Sequence, residues 1–364
     1  MSKKAVLSAP ICLLVAALGL SGGLAHGAEL YAGTSYPGMV YAYDGVRWEA
    51  LSGELGLAVI ALIEYEGDLY AGTLGAYGAD GYGEVWQYDG YGQSWTVIWR
   101  TPPVPGPNGS QAFEILDLEV WRGDLYASAA PGGGKLYRYD RSAGTFGSEP
   151  VATMPTVPGY SDWVGIAKMY PWPQSGLLHV GDPAYDLLGH YDGVNLIYDV
   201  DEGGSCIWDI VAFNGRLYAS AENGFLLSSP TGTGPFWRRE LPHGDSYQMW
   251  DLEIFQGYLY TGGQEGLGRI DAAGNAEVFW SGESFYEQVT AMVVDEGRVL
   301  YFGTGRNVAF TGWDDGIARV YSYDGSAAPT LMLNADGTDP DVPHHASVEC
   351  LYLREDADGD GVAD

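Results

Sequence analysis

The sequence contains little cysteine and little positive charge. Its 364 residues include three cysteines, which is too few for a scaffold held together by disulfides. Only 17 residues are lysine or arginine, against 48 aspartates and glutamates, and the formal net charge is −31. Such a surplus of negative charge repels phosphate groups. We therefore expect no nucleic-acid partner and no attachment to anionic membranes.

Long apolar runs are also missing beyond the first residues. Lys3 and Lys4 precede the apolar run Ala5–Leu20, and small residues follow it up to Ala28. This order is typical of a secretory signal peptide. We predict a signal peptide over residues 1–27 and a mature protein that is secreted or held at the cell surface without a membrane span. The alternative is an uncleaved membrane anchor.

The cysteines that remain after the signal peptide are Cys206 and Cys350. Export would allow them to pair. The repeat described below places them on inner strands of different units, too far apart to bridge. We expect both to be small buried residues, with a reactive thiol as the alternative.

What the sequence does contain is a repeat. The motif Leu-Tyr-Ala-Gly-Thr occurs at Leu30–Thr34 and Leu69–Thr73, and degenerate copies follow to the end of the chain. Self-similarity at a period of about 40 to 55 residues indicates a solenoid, a propeller or an array. The seven copies begin at Leu30, Leu69, Leu125, Leu178, Leu217, Leu259 and Leu300.

Each repeat has the same internal order. An apolar stretch and a Gly or Asn-Gly precede the Leu-Tyr strand, and a third strand, an Asp-Gly pair such as Asp44-Gly45 and a short aromatic strand follow it. The alternation of large and small residues is the period of a pleated strand, and no window shows a long helical period. We predict that the Asp-Gly pairs form type I′ hairpin turns. Four antiparallel strands in this length indicate a propeller blade.

Counting the strands predicts how the chain closes. Leu30–Thr34 lacks a first strand before it, and Val348–Leu353 is a first-strand pattern with no second strand after it. We therefore predict that the C-terminal strand completes the N-terminal blade, which removes the free edges. The predicted fold is an all-β, seven-bladed β-propeller over residues 28–354. Six and eight blades are the alternative counts.

The repeat resembles that of secreted bacterial β-propeller repeat proteins. In the first repeat, Leu30–Thr34 matches their Leu-Tyr-Ala-Gly segment, and Tyr43–Trp48 matches their Tyr-Asp-Gly-x-x-Trp segment. The chain is more loosely similar to kelch and galactose-oxidase-like propellers, although the kelch double glycine is absent at most expected places. This resemblance implies a scaffold that carries both binding modules and enzymes, so it implies no particular activity.

The C-terminal residues 355–364 follow the Asp-x-Asp-x-Asp-Gly pattern of a calcium loop, in which alternate oxygens point at a hard cation. The pattern resembles the start of a thrombospondin type 3 repeat, but the chain stops before the bidentate acid that would complete a tight site. We expect either partial Ca²⁺ binding or a disordered acidic tail; no other cofactor is expected. The predicted metal ligands are Asp356, Asp358, Asp360, Val362 and Asp364.

Three carboxylates recur at one position of the predicted innermost strands. Asp117, Asp209 and Asp251 would line the central channel and bind a cation, or each would accept a hydrogen bond from the neighbouring blade. Buried like charges are costly, so a cation or hydrogen-bond donors must be close. The aligned residues are Ala61, Asp117, Gly165, Asp209, Asp251, Ala291 and Cys350.

Loops that enter the first strands, or follow the second strands, place aromatic and polar residues on one face of a propeller. Aromatic planes beside carboxylates suit sugars. The alternative is composition alone, because 27 tyrosines put an aromatic residue in most loops. The candidate ligand-face residues are Trp163, Tyr247, Tyr286, Trp313 and His345.

No catalytic residue can be identified from these patterns. The sequence has no Gly-x-Ser-x-Gly elbow and no zinc-ligand spacing. We predict a monomeric, non-catalytic binding or interaction module whose partner is a glycan or another extracellular protein. One alternative is a glycan-active enzyme with carboxylates at the channel mouth; the other is a structural surface domain.

Overall fold

The computed structural model describes residues 29–75, 82–89, 94–102, 114–130, 134–154, 165–183, 187–201, 206–221, 225–234, 237–240, 248–282, 287–295, 297–305, 316–338 and 343–354.

Over these ranges the secondary structure is entirely β, without a helix. Accordingly, no helix in this part of the chain has the length and apolar character needed to cross a membrane. The strands are β1 (Glu29–Gly38), β2 (Val40–Tyr43), β3 (Trp48–Ala50), β4 (Gly56–Tyr65), β5 (Asp68–Leu74), β6 (Glu84–Asp89), β7 (Ser94–Arg100), β8 (Glu114–Trp121), β9 (Asp124–Ala130), β10 (Lys135–Asp140), β11 (Thr145–Phe146), β12 (Ala152–Thr153), β13 (Lys168–Trp172), β14 (Leu177–Gly181), β15 (Leu187–Tyr191), β16 (Leu196–Asp201), β17 (Ile210–Phe213), β18 (Arg216–Ser220), β19 (Phe225–Ser229), β20 (Trp237–Glu240), β21 (Met249–Phe255), β22 (Tyr258–Gly263), β23 (Gly266–Ile270), β24 (Ala276–Trp280), β25 (Gln288–Asp295), β26 (Val299–Gly305), β27 (Ala318–Tyr323), β28 (Thr330–Ala335) and β29 (Ser347–Arg354).

Antiparallel pairing forms three separate four-stranded sheets, β13–β16, β17–β20 and β21–β24, and joins the other 17 strands in one sheet, within which a four-strand unit recurs. A typical unit runs β21-β22-β23-β24, in chain order. The third unit differs because two short strands, β11 and β12, both pair with β10 in place of one fourth strand. We call the strand that opens each unit its first strand. The first strands are β4, β8, β13, β17, β21, β25 and, for the unit that contains β1, β29.

The N-terminal unit joins the two ends of the chain. β29 pairs antiparallel with β1, with Leu353 opposite Leu30 and Cys350 opposite Gly33. β2 and β3 then continue the sheet. The predicted pairing of the C-terminal strand with the first repeat is confirmed.

The tight turns lie elsewhere than the sequence predicts. Glu66 and Gly67 both have positive φ, 54° and 88°, and connect β4 to β5 in a two-residue loop. Arg122-Gly123, Asn214-Gly215 and Gln256-Gly257 share this conformation, which type I′ turns require. The prediction for the Asp-Gly pairs is wrong at Asp44-Gly45. There only Gly45 has positive φ, and a four-residue loop joins Tyr43 to Trp48.

The Asp-Gly loops use the aspartate as a cap. The Asp44 Oδ1 atom accepts the backbone N–H groups of Val46 and Arg47 at 2.8 and 2.9 Å. The same arrangement recurs at Asp192, with Val194 and Asn195 as donors. A side chain that folds back onto its own turn stabilises a loop longer than two residues.

The glycine of the Leu-Tyr-Ala-Gly motif allows neighbouring units to approach closely. A Cβ atom built on Gly72 would lie 2.7 Å from Ile115 Cγ2, and one on Gly303 would lie 2.5 Å from Val348 Cγ1. In both cases the β-branched residue belongs to the first strand of the following unit. The repeat therefore keeps glycine for packing between sheets.

The core lies between successive sheets. One buried cluster combines Ala61 and Tyr70 of one unit with Ile115, Leu125 and Tyr137 of the next. Face-to-face packing of this kind buries the apolar face of each sheet against its neighbour. Each unit is thus covered by the next, which explains why the motif repeats.

Candidate binding site at the inner cavity

A cavity of about 510 Å³ lies where the first strands of the units meet. Its lining includes residues of β4, β8, β13, β17, β21, β25 and β29, and of the segment just before β17. A space of this volume lies in the range of small-molecule sites. We call it the inner cavity.

A β-bulge on the first strands brings consecutive residues into the cavity wall. The register of β8 and β9 shifts between Ile115 and Asp117, which leaves Leu116 as the extra residue. The same shift isolates Ile60, Trp250 and Thr290 on their strands. Since a bulge opposes two residues to one, it re-aims side chains that strict alternation would send to opposite faces.

The predicted carboxylates Asp117, Asp209 and Asp251 all line this cavity. The Asp117 Oδ2 atom accepts the N–H of Met169 at 2.6 Å, and the Asp209 Oδ2 atom accepts that of Leu252 at 2.7 Å. Asp251 accepts the N–H of Met292. In each case the donor belongs to the first strand of another unit. The aspartates therefore join units, as the structural interpretation of the sequence pattern expected.

A lysine lies among these aspartates. The Lys168 Nζ atom is 3.6 Å from Asp209 Oδ1 and 4.0 Å from Asp117 Oδ1. Lys168 stands opposite Gly181, the position that Asp251 occupies opposite Gly262 in its own unit. The sequence alignment placed Gly165 there, and that assignment is wrong by three residues. The ammonium group supplies the cation that the buried carboxylates require.

Burial controls the protonation of this cluster. Desolvation raises the pKa of Asp117 to about 6, although the Lys168 ammonium opposes the shift. Desolvation also raises the pKa of Asp251, and a hydrogen bond with Asp209 adds to it. The negative field, first of all from Asp117, raises the pKa of Lys168, which therefore stays charged.

A second level of carboxyl groups lies two residues further along two strands. Glu119 follows Asp117, and Glu253 follows Asp251, on the same face of the strand. Desolvation raises the pKa of Glu119 to about 8 and that of Glu253 to about 7. The sequence analysis missed both, although the Asp-x-Glu spacing on a first strand was a signal for them.

Two tryptophans form an aromatic wall just before the aspartates. Trp208 and Trp250 come from neighbouring units, and their ring centroids are 5.3 Å apart at an interplanar angle of 60°. Both rings are half-buried and line the cavity. The wall thus combines aromatic faces with carboxyl groups.

The side chain of His345 is buried against β1 and β2. It is fully buried, and its Nε2 atom is 2.7 Å from the Tyr41 hydroxyl. Its Nδ1 atom lies 3.1 Å from Thr34 Oγ1 and 3.0 Å from the carbonyl oxygen of Pro37. Burial lowers the pKa of His345 to about 4, so the ring is neutral. This placement does not support the predicted contact with a ligand; His345 instead joins the C-terminal segment to β1 and β2.

The remaining predicted sites lie outside the described residues. They are Trp163, Tyr247, Tyr286, Trp313, Asp356, Asp358, Asp360, Val362 and Asp364. Among the residues that are described, no group of three histidine, cysteine or acidic side chains is arranged to hold a metal ion. Cys206 and Cys350 are not joined in a disulfide, and burial raises the pKa of the Cys350 thiol.

No protein-family model matches this sequence, and no curated protein sequence matches it either. Solved structures do resemble it. The computationally designed Ika8 protein is 16% identical, with a TM-score of 0.54, and the match covers 92% of this chain and 91% of that one. The WD40 β-propeller domain of Doa1 is 13% identical, with a TM-score of 0.51 over 80% and 85% of the two chains.

A third neighbour is the extracellular domain of a putative one-component system from B. thetaiotaomicron. It is 16% identical, with a TM-score of 0.47, and the match covers 81% of this chain and 44% of that one. A likeness of this strength does not establish a shared fold. The likeness to the WD40 domain, together with the antiparallel units, shows a β-propeller-like fold and does not extend to function.

Proposed function

We propose that this protein is a non-catalytic binding module that takes a small polar ligand into its inner cavity. The observation that carries this proposal is the cavity itself, about 510 Å³ in volume and lined by aromatic, acidic and cationic side chains. Binding sites are typically concave, with a few convergent polar groups.

The scaffold proposed for this site is a closed propeller of seven blades. The succession of four-stranded units supports it, as does the pairing of β29 with β1. First strands from each unit meet at one cavity, which is the arrangement that a closed ring produces. Closure would hold the walls of the site rigid, because each blade is packed on both sides.

The cavity is also where the alternative of a glycan-active enzyme would act. The pKa of Asp251, raised by burial and by the neighbouring Asp209 carboxylate, favours this second candidate. Against it, an oxygen of each aspartate already accepts a backbone N–H group. Replacement of Asp209 by Asn separates the two functions, because an enzyme would lose turnover whereas a binding module would keep its ligand.

Three further properties belong to this proposal. Residues 1–27 direct export, and the mature protein acts outside the cytoplasm as a monomer. Residues 355–364 bind Ca²⁺ weakly through alternate carboxylates. A glycan or another extracellular protein is the proposed partner of the loop face on which the sequence predicts Trp163, Tyr247, Tyr286 and Trp313.

A ligand screen on the mature chain tests the binding function. Neutral sugars, sugar acids and small amines would be added while the Tm is followed, since a ligand that binds only the folded state raises it. The Ala291→Leu variant narrows the cavity, and Ala50→Leu adds the same bulk at an exposed strand position. We expect at least one ligand class to raise the Tm of the mature chain and of Ala50→Leu but not of Ala291→Leu. Equal responses in both variants, or none in the mature chain, would contradict the proposal.

A further inference from the structure

We infer that the ligand of the inner cavity is a linear diamine or polyamine, held along the cavity between two levels of carboxyl groups. This inference rests on the proposed binding function and gives its ligand a chemical class.

The balance of charge in the cavity favours a cation. Six carboxyl groups line it, and among the described residues that line it Lys168 contributes the one ammonium group. That group lies near Asp117 and Asp209, at the level of the aspartates. A cationic ligand would add positive charge beside the other carboxyl groups and favour their ionised form. The six are Asp117, Glu119, Asp209, Asp251, Glu253 and Glu349.

The spacing of the carboxyl groups favours two charges on one ligand. Glu119 and Glu253 each stand two residues beyond an aspartate of the same strand, which is about 7 Å along a pleated strand. An extended five-carbon chain separates two terminal nitrogens by roughly 7 Å, given ordinary bond lengths. One ammonium group at the level of the aspartates therefore places the second at the level of the glutamates.

The aromatic wall suits the same ligand. Trp208 and Trp250 line the cavity, each next in sequence to an aspartate of the wall. Aromatic rings attract ammonium groups through their electron-rich faces and also pack against methylene chains. A diamine presents both features, whereas a hydrated metal ion presents neither.

Other ligand classes fit the wall less well. An anionic ligand would lie next to six acidic side chains, which would disfavour its binding. A bare metal ion would find no cluster of ligands among the described residues and would leave most of the cavity empty. A neutral sugar could stack on the tryptophans but brings no charge to stabilise the ionised form of the carboxyl groups.

Diamine binding should release protons. Desolvation raises the pKa values of Asp117, Glu119, Asp251 and Glu253 above their ordinary values. A bound ammonium group lowers these values, so groups that hold a proton near neutral pH would lose it. The other charged or titratable groups of the wall are Lys168, Tyr170, Asp209, Glu349 and Cys350.

Calorimetric titration of the mature chain with 1,5-diaminopentane tests the inference. Pentane-1,5-diol and 1-aminopentane serve as the neutral and the singly charged controls. Two buffers of different ionisation enthalpy measure the protons released. The Glu119→Gln variant removes one charge from the cavity, and Glu49→Gln removes one from the exposed strand β3. If Glu119→Gln fails to fold, Glu253→Gln tests the same level from another strand.

We expect the diamine to bind about tenfold more tightly than the monoamine, with proton release, and Glu119→Gln to weaken it about tenfold. Glu49→Gln should leave its affinity unchanged. Equal binding of the diol, or equal effects of the two variants, would overturn the inference. If a sugar binds instead and Ala291→Leu abolishes that binding, the proposed function stands and the diamine falls. If the Ala291→Leu variant changes the binding of no ligand, both the proposed function and the diamine inference are wrong.

Discussion

Aspartates recur in two regions of this protein, at the inner wall and at the outer turns, and their pKa values move in opposite directions. At the wall, desolvation raises the pKa of Asp117 and Asp251. At the turns, the N–H groups of Arg47 and Val46 lower the pKa of Asp44, and that of Ser326 lowers the pKa of Asp324. Both regions use the carboxylate to accept backbone N–H groups, so the hydrogen bond alone does not decide the direction.

Solvent makes the difference. The outer aspartates keep their hydration, and each donor therefore adds net stabilisation of the charged form. The inner aspartates lose their hydration, and one or two donors do not replace it. A repeated aspartate can thus be a simple turn cap in one region and part of a charged site in the other. Burial at the inner wall, which the turns lack, distinguishes the two.

The largest effect is expected from removal of the cation at the inner wall. Lys168→Met leaves Asp117 and Asp209 without their counter-charge. The free energy of unfolding should fall by about 2 kcal/mol near pH 8. This figure allows for the partial exposure of the lysine, which weakens the ion pairs. Near pH 5 the loss should be smaller, because more of the carboxyl groups are protonated. Urea denaturation at both pH values measures this difference.

Lys135→Met is the matched control, because Lys135 lies on β10 and does not line the cavity. Its effect should be small and independent of pH. If Lys168→Met lowers the free energy of unfolding no more near pH 8 than near pH 5, the lysine does not neutralise the inner aspartates as proposed.

A smaller effect of opposite sign is expected at Glu119. Its pKa is raised from 4.5 to about 8, so the folded state binds more protons than the unfolded state between these values, and stability falls as the pH rises through this window. Glu119→Gln removes that loss. The variant should gain stability relative to the parent near pH 8 and nothing near pH 4. Thermal unfolding across this range, with Glu49→Gln for comparison, tests the expectation; a constant difference would contradict it.

The smallest effect is expected at the outer turns. Asp44→Ala removes the acceptor for Val46 and Arg47, and the Tm should fall by less than in Lys168→Met. Because the pKa of Asp44 is lowered from 3.8, its contribution is present above that value and is lost as the pH falls through the folded-state pKa. The Tm difference should therefore be constant from near pH 5 to pH 8 and disappear in stronger acid. A difference that grows toward pH 8 would assign Asp44 the behaviour of the inner wall.

The sequence predicts the strands well because the same strand pattern occurs in each repeat. The motif fixes β1 and β5, and the missing partner of β1 predicts its pairing with β29. The positions of the type I′ turns were predicted wrongly because Glu66 and Gln256 are not residue types that favour positive φ. Their conformation follows from the two-residue connection between strands, which a residue preference does not reveal.

The site was predictable in part. A recurrent aspartate identifies the inner wall, but the irregular fourth repeat, with Pro171 next to Trp172, concealed that Lys168 occupies the equivalent position. The bulges could not be predicted from the sequence pattern either, because strict alternation sends Trp250 and Asp251 to opposite faces of the strand. Only the tertiary register shows that both line one cavity.

Titration of the aspartate carboxyl carbons by carbon-13 NMR, assigned with single Asp→Asn variants, tests the central claim most directly. The account predicts that Asp117 titrates near pH 6 and that Asp251 titrates above 3.8, whereas Asp44 and Asp324 titrate below 3.8. If Asp117 and Asp251 titrate with the outer aspartates, the inner wall is hydrated like the surface, and the charged, desolvated cavity proposed as the binding site does not exist.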